Sequence, residues 1–357
     1  KITSTNLIEW QLHIANGLTL PKSQNEIYLN GWSLEARLYA EDINKNFLPQ
    51  SGFLNHLKFP KNSDHPNCII DTGNKKGDFI SPYYDPMIAK IISHGKNRKE
   101  AINHLRNCLF DIEVAGITTN LNLLKKLLKN NQFREGNIYT KFVENNIEQF
   151  MDKDIEPQLK ALASLIIFNN LTPSQQNYWY NWKPTTYPIN ITIGQKVTSF
   201  FVTKTNNKNF EVAFNNQDFY FSSVSFHDST LKAKTKNKKF EVKFYVFKDK
   251  STGNKIFTIF SDENTFDAVL KNSLTQDSVE QSKFEDSIFA PMHGIIKINN
   301  LKIKNRVKKG DVLLKLEAMK MEYSLIAPRD GIIKEIFCKN GEQVTENSKL
   351  LNLEKIK

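Results

Sequence analysis

The stretch APMHGIIK (290–297) returns as APRDGIIK (327–334), an offset of 37 residues. The match continues at the same offset, without a gap, from RVKKGDVLLKLE (306–317) to QVTENSKLLNLE (343–354). A short apolar unit that occurs twice in succession indicates two copies of one β motif. We therefore predict an all-β flattened barrel with quasi-twofold symmetry, in which each half buries its Ile and Leu face against the other.

The two copies are joined by AMKMEYSLI, which places Lys320 between Met319 and Met321. A hairpin that links two symmetric halves holds its connecting residues at the end of a sheet, so Lys320 is predicted near the tip of a turn with its amine in solvent. One alternative is an ordinary hairpin whose methionines only fill space. The position at the symmetry point, directly after Glu317 and Ala318, favours an amine that the fold presents for modification.

The remainder of the chain has a multi-domain α+β pattern. Residues 1–148 alternate helical and strand patterns, and 149–270 begin with a helix and continue as short alternating runs typical of an antiparallel β sandwich or barrel. Residues 271–286 are polar without apolar periodicity and are predicted to be a linker. The repeated β unit occupies 287–357.

Several helix boundaries can be predicted from local signals. Apolar residues spaced i, i+3 and i+7 in LIEWQLHI predict an amphipathic helix that ends at Gly17. Thr118 and Thr119 are predicted to cap a second helix. Asp154 is predicted to cap a third, with Pro157 in its first turn.

Composition argues against several classes of function. The chain of 357 residues has 49 Lys and Arg against 38 Asp and Glu, a net charge of +11, but the lysines are spread along the chain without an arginine stripe. A solvated surface is favoured over a nucleic-acid site, and a basic RNA-binding β protein is the weaker alternative. The three cysteines form no CxxC pair and the histidines show no metal spacing, so no disulfide or metal site is expected. No membrane span or signal peptide is recognised.

The stretch EAMKM, inside APMHG…APRDG, resembles the biotin carboxyl carrier domain of biotin-dependent carboxylases. This resemblance implies that Lys320 carries covalent biotin and that Glu317, Ala318, Met319 and Met321 form the biotinylation motif. In this family biotin is carboxylated on its ureido nitrogen at one active site and gives up the carboxyl group at another. Lipoyl carriers share the fold, but their lysine usually lies in an Asp-Lys-Ala context, so a lipoyl carrier is the alternative.

Residues 1–145 are similar to the C-terminal part of a biotin carboxylase domain of the ATP-grasp type. The matching stretches are GWSLEARLYAED (31–42), LPQSG (48–52), YYDPMIAKII (83–92), AGITTNLNLL (115–124) and GNIYTKF (136–142). The resemblance implies that Arg37 lies beside bicarbonate and biotin, where a cation would stabilise an enolate-like ureido oxygen. The alternative is a strand arginine paired with Glu35 or Glu41. Asp85 is expected to serve folding or contacts between α chains.

The resemblance also implies that part of the family's catalytic machinery lies upstream of Lys1. The ATP-binding lobe, with its glycine-rich lid and the residues for Mg²⁺ and bicarbonate, has no counterpart in this sequence, and GNKKGD (73–78) is more simply a loop. The chain is therefore expected to be the later part of a longer α subunit. Alone, it should be inactive in the ATP-dependent step.

The middle segment resembles the domain that docks such an α subunit onto its carboxyltransferase β subunit, so 149–270 is expected to be a helix followed by an antiparallel β barrel. The run NYWYNW (177–182) is either an interface anchor, core packing or an edge staple. Expected partners are that β subunit, a biotin protein ligase and other α chains. Within the family, the sequence most resembles α subunits of 3-methylcrotonyl-CoA carboxylases, with propionyl-CoA carboxylases as the alternative. The expected location is the cytoplasm in a bacterium or the mitochondrial matrix in a eukaryote.

Overall fold

A computed structural model of the chain describes residues 1–151, 154–171, 184–194, 196–206, 208–250, 252–262, 264–270, 287–298, 301–318, 321–345 and 347–354, with only the backbone described for Met321. The chain divides into two compact units: Lys1–Met151 with Glu280–Lys357, and Asp152–Val279. The predicted linker at 271–286 and the aromatic run at 177–182 lie outside the described residues. The domain boundaries proposed from the sequence stay a prediction.

The N-terminal segment is a mixture of short strands and helices. Its elements are α1 (Leu7–Ala15), a 3₁₀ turn (Gln24–Glu26), β1 (Trp32–Tyr39), β2 (Glu41–Asp42), a 3₁₀ turn (Ile43–Lys45), β3 (Leu48–Pro49), β4 (Gly52–Phe53), β5 (His56–Lys58), β6 (Cys68–Asp71), β7 (Phe79–Ile80), β8 (Met87–Gly95), α2 (Arg98–Phe110), β9 (Glu113–Ala115), α3 (Leu121–Lys129), α4 (Asn131–Glu135), α5 (Phe142–Asn145) and α6 (Ile147–Phe150).

The core of this segment forms between one sheet and one helix. Strands β1, β8 and β6 make an antiparallel sheet in that order, and α2 packs against it. Leu38 of β1, Ile91 of β8 and Leu109 of α2 are all fully buried in one cluster. Because side chains alternate across a strand, the opposite face of β1 is left exposed. That exposed face carries Arg37.

The helix predicted to end at Gly17 is confirmed as α1, with Asn16 as its C-cap and Gly17 following at a φ of 77°, although none of its residues is fully buried. The prediction of Thr118 and Thr119 as caps was wrong in part. The N-cap position of α3 is Asn120, whose side chain makes no cap hydrogen bond, and the Thr119 hydroxyl accepts from the Leu121 amide at 3.4 Å. The side chain of Asn120 is used elsewhere, because its amide bonds to the backbone of β1.

The second unit is a closed eight-stranded antiparallel barrel with one helix. Its elements are α7 (Pro157–Leu171), β10 (Thr186–Ile193), β11 (Lys196–Asn206), β12 (Asn209–Phe214), β13 (Gln217–His227), β14 (Thr230–Lys234), β15 (Lys239–Lys248), β16 (Lys255–Phe260) and β17 (Thr265–Leu270), in that order around the barrel. The alternating pattern alone left sandwich and barrel open, and the expected barrel is confirmed.

Helix α7 is buried on all sides within the barrel core. Each residue from 161 to 168 is at most 4% exposed, as expected for a helix that is apolar all round. The helix begins at Pro157, as the first-turn proline predicts. Asp154 is not its cap, because it lies three residues before the helix and its carboxylate is 4.0 Å from the Lys160 amine.

The C-terminal segment consists of two four-stranded antiparallel sheets. Its strands are β18 (Ser287–Phe289), β19 (Gly294–Lys297), β20 (Arg306–Val307), β21 (Val312–Ala318), β22 (Met321–Ile326), β23 (Gly331–Ile336), β24 (Gln343–Val344) and β25 (Lys349–Glu354). The sheet orders are β18-β25-β23-β20 and β22-β21-β19-β24. A shift of 37 residues converts each sheet into the other. The predicted quasi-twofold flattened barrel is therefore present.

Hydrogen bonds repeat with the same symmetry. The carbonyl of Ala327 accepts from the amide of Gly310 at 2.9 Å, and the carbonyl of Ala290 accepts from the amide of Asn347 at 2.8 Å. Each donor has a positive φ, 95° for the glycine and 62° for the asparagine. Asparagine tolerates this left-handed conformation better than most residues, so it can replace glycine in the second copy.

Two glycines let the strands of each half approach closely. A Cβ on Gly294 would lie 2.7 Å from the carbonyl oxygen of Glu317, and one on Gly331 would lie 2.9 Å from that of Glu354. Both contacts are closer than a side-chain carbon allows. The glycine is therefore required twice, at equivalent places, for steric reasons.

Candidate functional site

The two halves meet at the antiparallel pair of strands β21 and β22. Strands β21 and β22 stay paired up to Ala318 and Met321, which leaves residues 319 and 320 as the connection. Met319, Lys320 and the side chain of Met321 lie outside the described residues, so the predicted exposure of the Lys320 amine stays a prediction. Of the other motif residues, Ala318 is buried and Glu317 is half-buried.

An ion-pair network lies on the outer face of the sheet beside this hairpin. The Lys297 amine is 2.8 Å from a carboxylate oxygen of Glu317 and 3.0 Å from one of Glu322. The Lys315 amine is 3.1 Å from the other carboxylate oxygen of Glu322. Hydrogen bonds from Lys297, then Lys315, lower the pKa of Glu322, and those to Glu317 and Glu322 raise the pKa of Lys297.

This network engages the two glutamates that flank the motif. Glu317 precedes and Glu322 follows the connecting residues, and each is held by a lysine on the sheet face. Sequence reasoning identified Glu317 but missed Lys297, Lys315 and Glu322. The sequence did contain a signal for this network. The repeat places these strands side by side, and side chains alternate between the two faces of a strand, so all four side chains lie on one face.

Arg37 lies on the exposed face of β1 with 59% of its side chain accessible. Its Nε donates to Glu35 Oε1 at 2.8 Å. Hydrogen bonds to Glu35 and then to Tyr39 raise the pKa of Arg37. The pairing with Glu35 that the sequence left open as an alternative is therefore present, and it fixes the guanidinium on the strand.

The side chain of Asn120 hydrogen-bonds to the backbone of β1 at Arg37 and at Tyr39. Its side-chain amide donates to the carbonyl of Arg37 at 3.1 Å, and its side-chain oxygen accepts from the amide of Tyr39 at 3.0 Å. This side chain ties the start of α3 to β1. No sequence pattern predicted this contact, because an asparagine before a helix is indistinguishable from an ordinary cap.

An open cavity of about 450 Å³ lies at the neighbouring strands, lined by residues of β6, β8 and the loop after β6. Lys90 and Asp71 contribute to its wall. The strand register places Arg37 opposite Lys90, and Lys90 opposite Asp71, so the three residues form one cross-strand row. The arrangement brings two cations and a carboxylate to the same region of the sheet.

A carboxylate in the turn before β8, that of Asp85, acts on the carboxyl of Glu41 on β2. Asp85 accepts a hydrogen bond from the Met87 amide at 2.9 Å, which shapes the turn. Burial, with a further contribution from the charge of Asp85, raises the pKa of Glu41 to about 7. This turn contact is consistent with the expected role of Asp85 in folding. Its expected role in contacts between α chains stays a prediction.

The described part of the chain contains no group of three or more His, Cys, Asp or Glu placed to hold a metal ion. Cys68, Cys108 and Cys338 are all buried free thiols. None of the described helices has the length and apolar character needed to cross a membrane.

Two family models match the chain. The model described as biotin carboxylase C-terminal domain matches residues 35–145, and the model described as biotin-requiring enzyme matches residues 294–353. The first match contains Arg37 and the Asn120 contacts. The second contains the hairpin and its ion-pair network.

Curated relatives match parts of the chain of different extent. The mitochondrial methylcrotonoyl-CoA carboxylase α subunit of Arabidopsis thaliana is 41% identical over 45% of this chain and 22% of its own length. The same subunit of Rattus norvegicus is 29% identical over 89% of this chain and 46% of its own length. The mitochondrial propionyl-CoA carboxylase α chain of Caenorhabditis elegans is 36% identical over 49% of this chain and 25% of its own length. The chain thus spans between about a fifth and about half of these relatives.

Proposed function

Because this chain carries the C-terminal domain of a biotin carboxylase and a biotin-lipoyl domain, we propose that it is part of the α subunit of a biotin-dependent acyl-CoA carboxylase, a ligase, with biotin attached to Lys320. The observation that carries the proposal is the two-residue connection at the junction of the symmetric halves. Bound biotin supplies a carrier for a carboxyl group.

The surroundings of the hairpin fit a covalently attached group. Strand pairing up to the Ala318–Met321 pair fixes the base of the connection, so an attached arm would start from a defined place. Lys297 and Lys315 hold the carboxylates of Glu317 and Glu322. Those carboxylates are thereby kept from forming a competing ion pair with the Lys320 amine, which must lose its proton before it can be acylated.

We assign Arg37 to the bicarbonate and biotin side of the carboxylase site in the whole subunit. Its bonds to Glu35 and Tyr39 hold a permanent cation on an exposed strand face, where it can stabilise developing negative charge. ATP, Mg²⁺ and bicarbonate would be substrates and cofactors of that whole subunit. No residue of this chain is assigned to ATP.

For the substrate we propose 3-methylcrotonyl-CoA, in leucine breakdown, with propionyl-CoA as the alternative. The support is that a methylcrotonoyl-CoA carboxylase α subunit matches 89% of the chain, whereas the propionyl-CoA carboxylase match covers 49%. The proposed partners are a carboxyltransferase β subunit, a biotin protein ligase and other α chains. The proposed location is the mitochondrial matrix in a eukaryotic cell and the cytoplasm in a bacterium.

Biotin attachment can be tested by co-expression with a biotin protein ligase and measurement of intact mass. We expect one biotinyl group per chain and none on Lys320→Arg. Lys315→Arg is the matched control, because it keeps the pairing with Glu322 and should still take up biotin. An adduct that survives Lys320→Arg contradicts the assignment, and uptake of lipoate in place of biotin supports the lipoyl alternative.

The substrate requires a second experiment, because the acyl-CoA is bound by a different subunit. A β subunit captured with the full-length α chain should carboxylate 3-methylcrotonyl-CoA in preference to propionyl-CoA and acetyl-CoA. The reverse preference would replace the proposed substrate and leave the biotin assignment standing.

A further inference from the structure

A leucine of the carboxylase segment is buried in the core of the C-terminal β domain. Leu48 of β3 is only 2% exposed. It belongs to the same buried cluster as Ile288, Met292 and the inward-facing residues of both carrier sheets. Both segments lie in one compact unit of the chain. The apolar contact between them therefore involves the carrier core and not only its surface.

A hydrogen bond lies beside this apolar contact. The side-chain amide of Gln343 on β24 donates to the hydroxyl of Tyr83, in the turn before β8. These residues are 260 positions apart in the sequence. Tyr83 is otherwise largely exposed, so its hydroxyl projects from the carboxylase segment towards the carrier.

The two contacting loops of the carboxylase segment are tied to each other. The amide of Ala40 donates to the carbonyl of Pro86 at 2.9 Å, and the amide of Gln50 donates to the carbonyl of Ala40 at 2.8 Å. Ala40 is itself fully buried. Leu48 and Tyr83 are thus presented by one connected surface, which we call the Leu48–Tyr83 surface.

The strand register shows which end of the carrier meets this surface. Gln343 pairs with Ile295, Ile295 with Glu317, and Glu317 with Glu322, so these four residues form one cross-strand row. At about 4.8 Å per strand spacing, the row spans about 14 Å. Only the Ala318–Met321 pair separates it from the connecting residues. Tyr83 therefore contacts the lysine-bearing end of the sheet.

We propose that the Leu48–Tyr83 surface is a docking site for the chain's own carrier domain, which holds the hairpin end of the carrier against the carboxylase segment. A single leucine and one hydrogen bond would hold two free proteins weakly. Within one chain, the covalent connection raises the effective concentration to the millimolar range, so a small and reversible contact is sufficient. The role of this contact in biotin loading rests on the proposed function, whereas the contact itself does not.

The test is the rate of disulfide formation in the full chain carrying Tyr83→Cys and Gln343→Cys, with oxidised glutathione as the oxidant. The three native thiols are buried, which limits competing reactions. Tyr28→Cys with Gln343→Cys is the control pair, because Tyr28 is an exposed tyrosine of the same segment. We expect the first pair to close within one chain at least tenfold faster than the control.

Leu48 provides the second variant. Leu48→Ser should slow closure of the Tyr83–Gln343 cysteine pair at least tenfold, whereas Leu48→Met, which keeps the volume, should restore it. Circular dichroism would show that the serine variant is still folded. Tyr83→Phe, which removes only the hydroxyl, gives an independent check through increased hydrogen exchange around Gln343.

Closure no faster than the control, or closure only between chains, would overturn the proposal. The outcome can be separated from that of the biotin assignment by intact mass. A chain that takes up biotin but does not close the cysteine pair refutes docking alone. A chain that closes the pair but takes up no biotin refutes the proposed function alone.

Discussion

Glu41 is a carboxyl whose protonation depends strongly on its surroundings. It is half-buried on β2, and burial together with the charge of Asp85 raises its pKa to about 7. A carboxyl whose pKa is raised on folding binds its proton more tightly in the native state. Its contribution to the free energy of unfolding is full below the ordinary pKa of 4.5 and is lost as the pH rises through about 7.

We therefore predict that Glu41→Gln flattens the pH dependence of stability. Relative to the wild type, the variant should gain about 1–2 kcal/mol between pH 5 and pH 8, a figure reduced for solvent screening of a half-exposed group. Thermal unfolding of both proteins at the two pH values measures this. Glu144→Gln, at an exposed position, is the control, and an equal pH dependence in the wild type and Glu41→Gln would refute the prediction.

Arg37 gives a second prediction at this scale. Arg37→Lys keeps the charge but loses the planar guanidinium that bonds Glu35 and Tyr39 at once. In the full-length α subunit we expect biotin-dependent ATP cleavage to fall about 10²- to 10³-fold, the typical effect of removing one electrostatic stabiliser. Arg306→Lys, an exposed arginine on β20, should leave the rate unchanged. A loss of less than threefold for Arg37→Lys would remove this residue from the proposed site.

The strands of the carrier show how a sequence repeat becomes a structural constraint. Gly294 and Gly331 occupy equivalent places, and each lies against the carbonyl of the equivalent glutamate. The symmetry implies that the two positions respond alike to the same substitution. That equality is a stronger test of the fold than either effect taken alone.

We predict that Gly294→Ala and Gly331→Ala each destabilise the carrier by about 1–3 kcal/mol, because the added carbon meets backbone that cannot move freely. Urea-dependent hydrogen exchange of peptides from 312–318 and 349–354 in the full chain measures the loss. Gly73→Ala is the control, since its added carbon meets nothing within 4 Å. Effects that differ by more than about 2 kcal/mol between the two glycines would argue against equivalent environments.

The accuracy of prediction at the level of elements depended on the kind of signal. The quasi-twofold arrangement of the carrier followed from the repeat, because each half has a second copy in the sequence. The N-cap position of α3 did not follow from the sequence, because the side chain there has a tertiary partner: Asn120 bonds β1, and the Thr119 hydroxyl accepts from the Leu121 amide. The apolar stretch from 161 to 168 predicted a helix. The alternating runs after it predicted β-strands, but that pattern alone did not distinguish a barrel from a sandwich, which differ in how the strands pair.

The molecule as a whole has two compact units with separate cores. Phe257, fully buried in the barrel, illustrates the separation, because its cluster contains only residues of α7 and the barrel strands. Units with separate cores are expected to unfold in separable transitions. Long-range contacts such as Gln343 to Tyr83 were not predicted, because the two motifs that contain these residues are 260 positions apart and neither carries a signal for contact with the other.

We predict that Phe257→Ala lowers the stability of the barrel by about 3–5 kcal/mol and leaves biotin uptake on Lys320 unchanged. Differential scanning calorimetry should show one transition shifted to lower temperature and the other in place. Intact mass after co-expression with the ligase provides the second readout. A shift of both transitions together would mean that the two units unfold cooperatively.

The closed barrel also limits how another protein can recognise the second unit. Every strand from β10 to β17 has a neighbour on both sides, so the sheet has no free edge on which an incoming chain could extend it. A partner therefore cannot bind this domain by adding a β-strand to its sheet. A protein that binds this unit must contact its side chains and loops. The specificity of such an interaction therefore depends on surface residues, which can be substituted without disturbing the hydrogen bonds between the barrel strands.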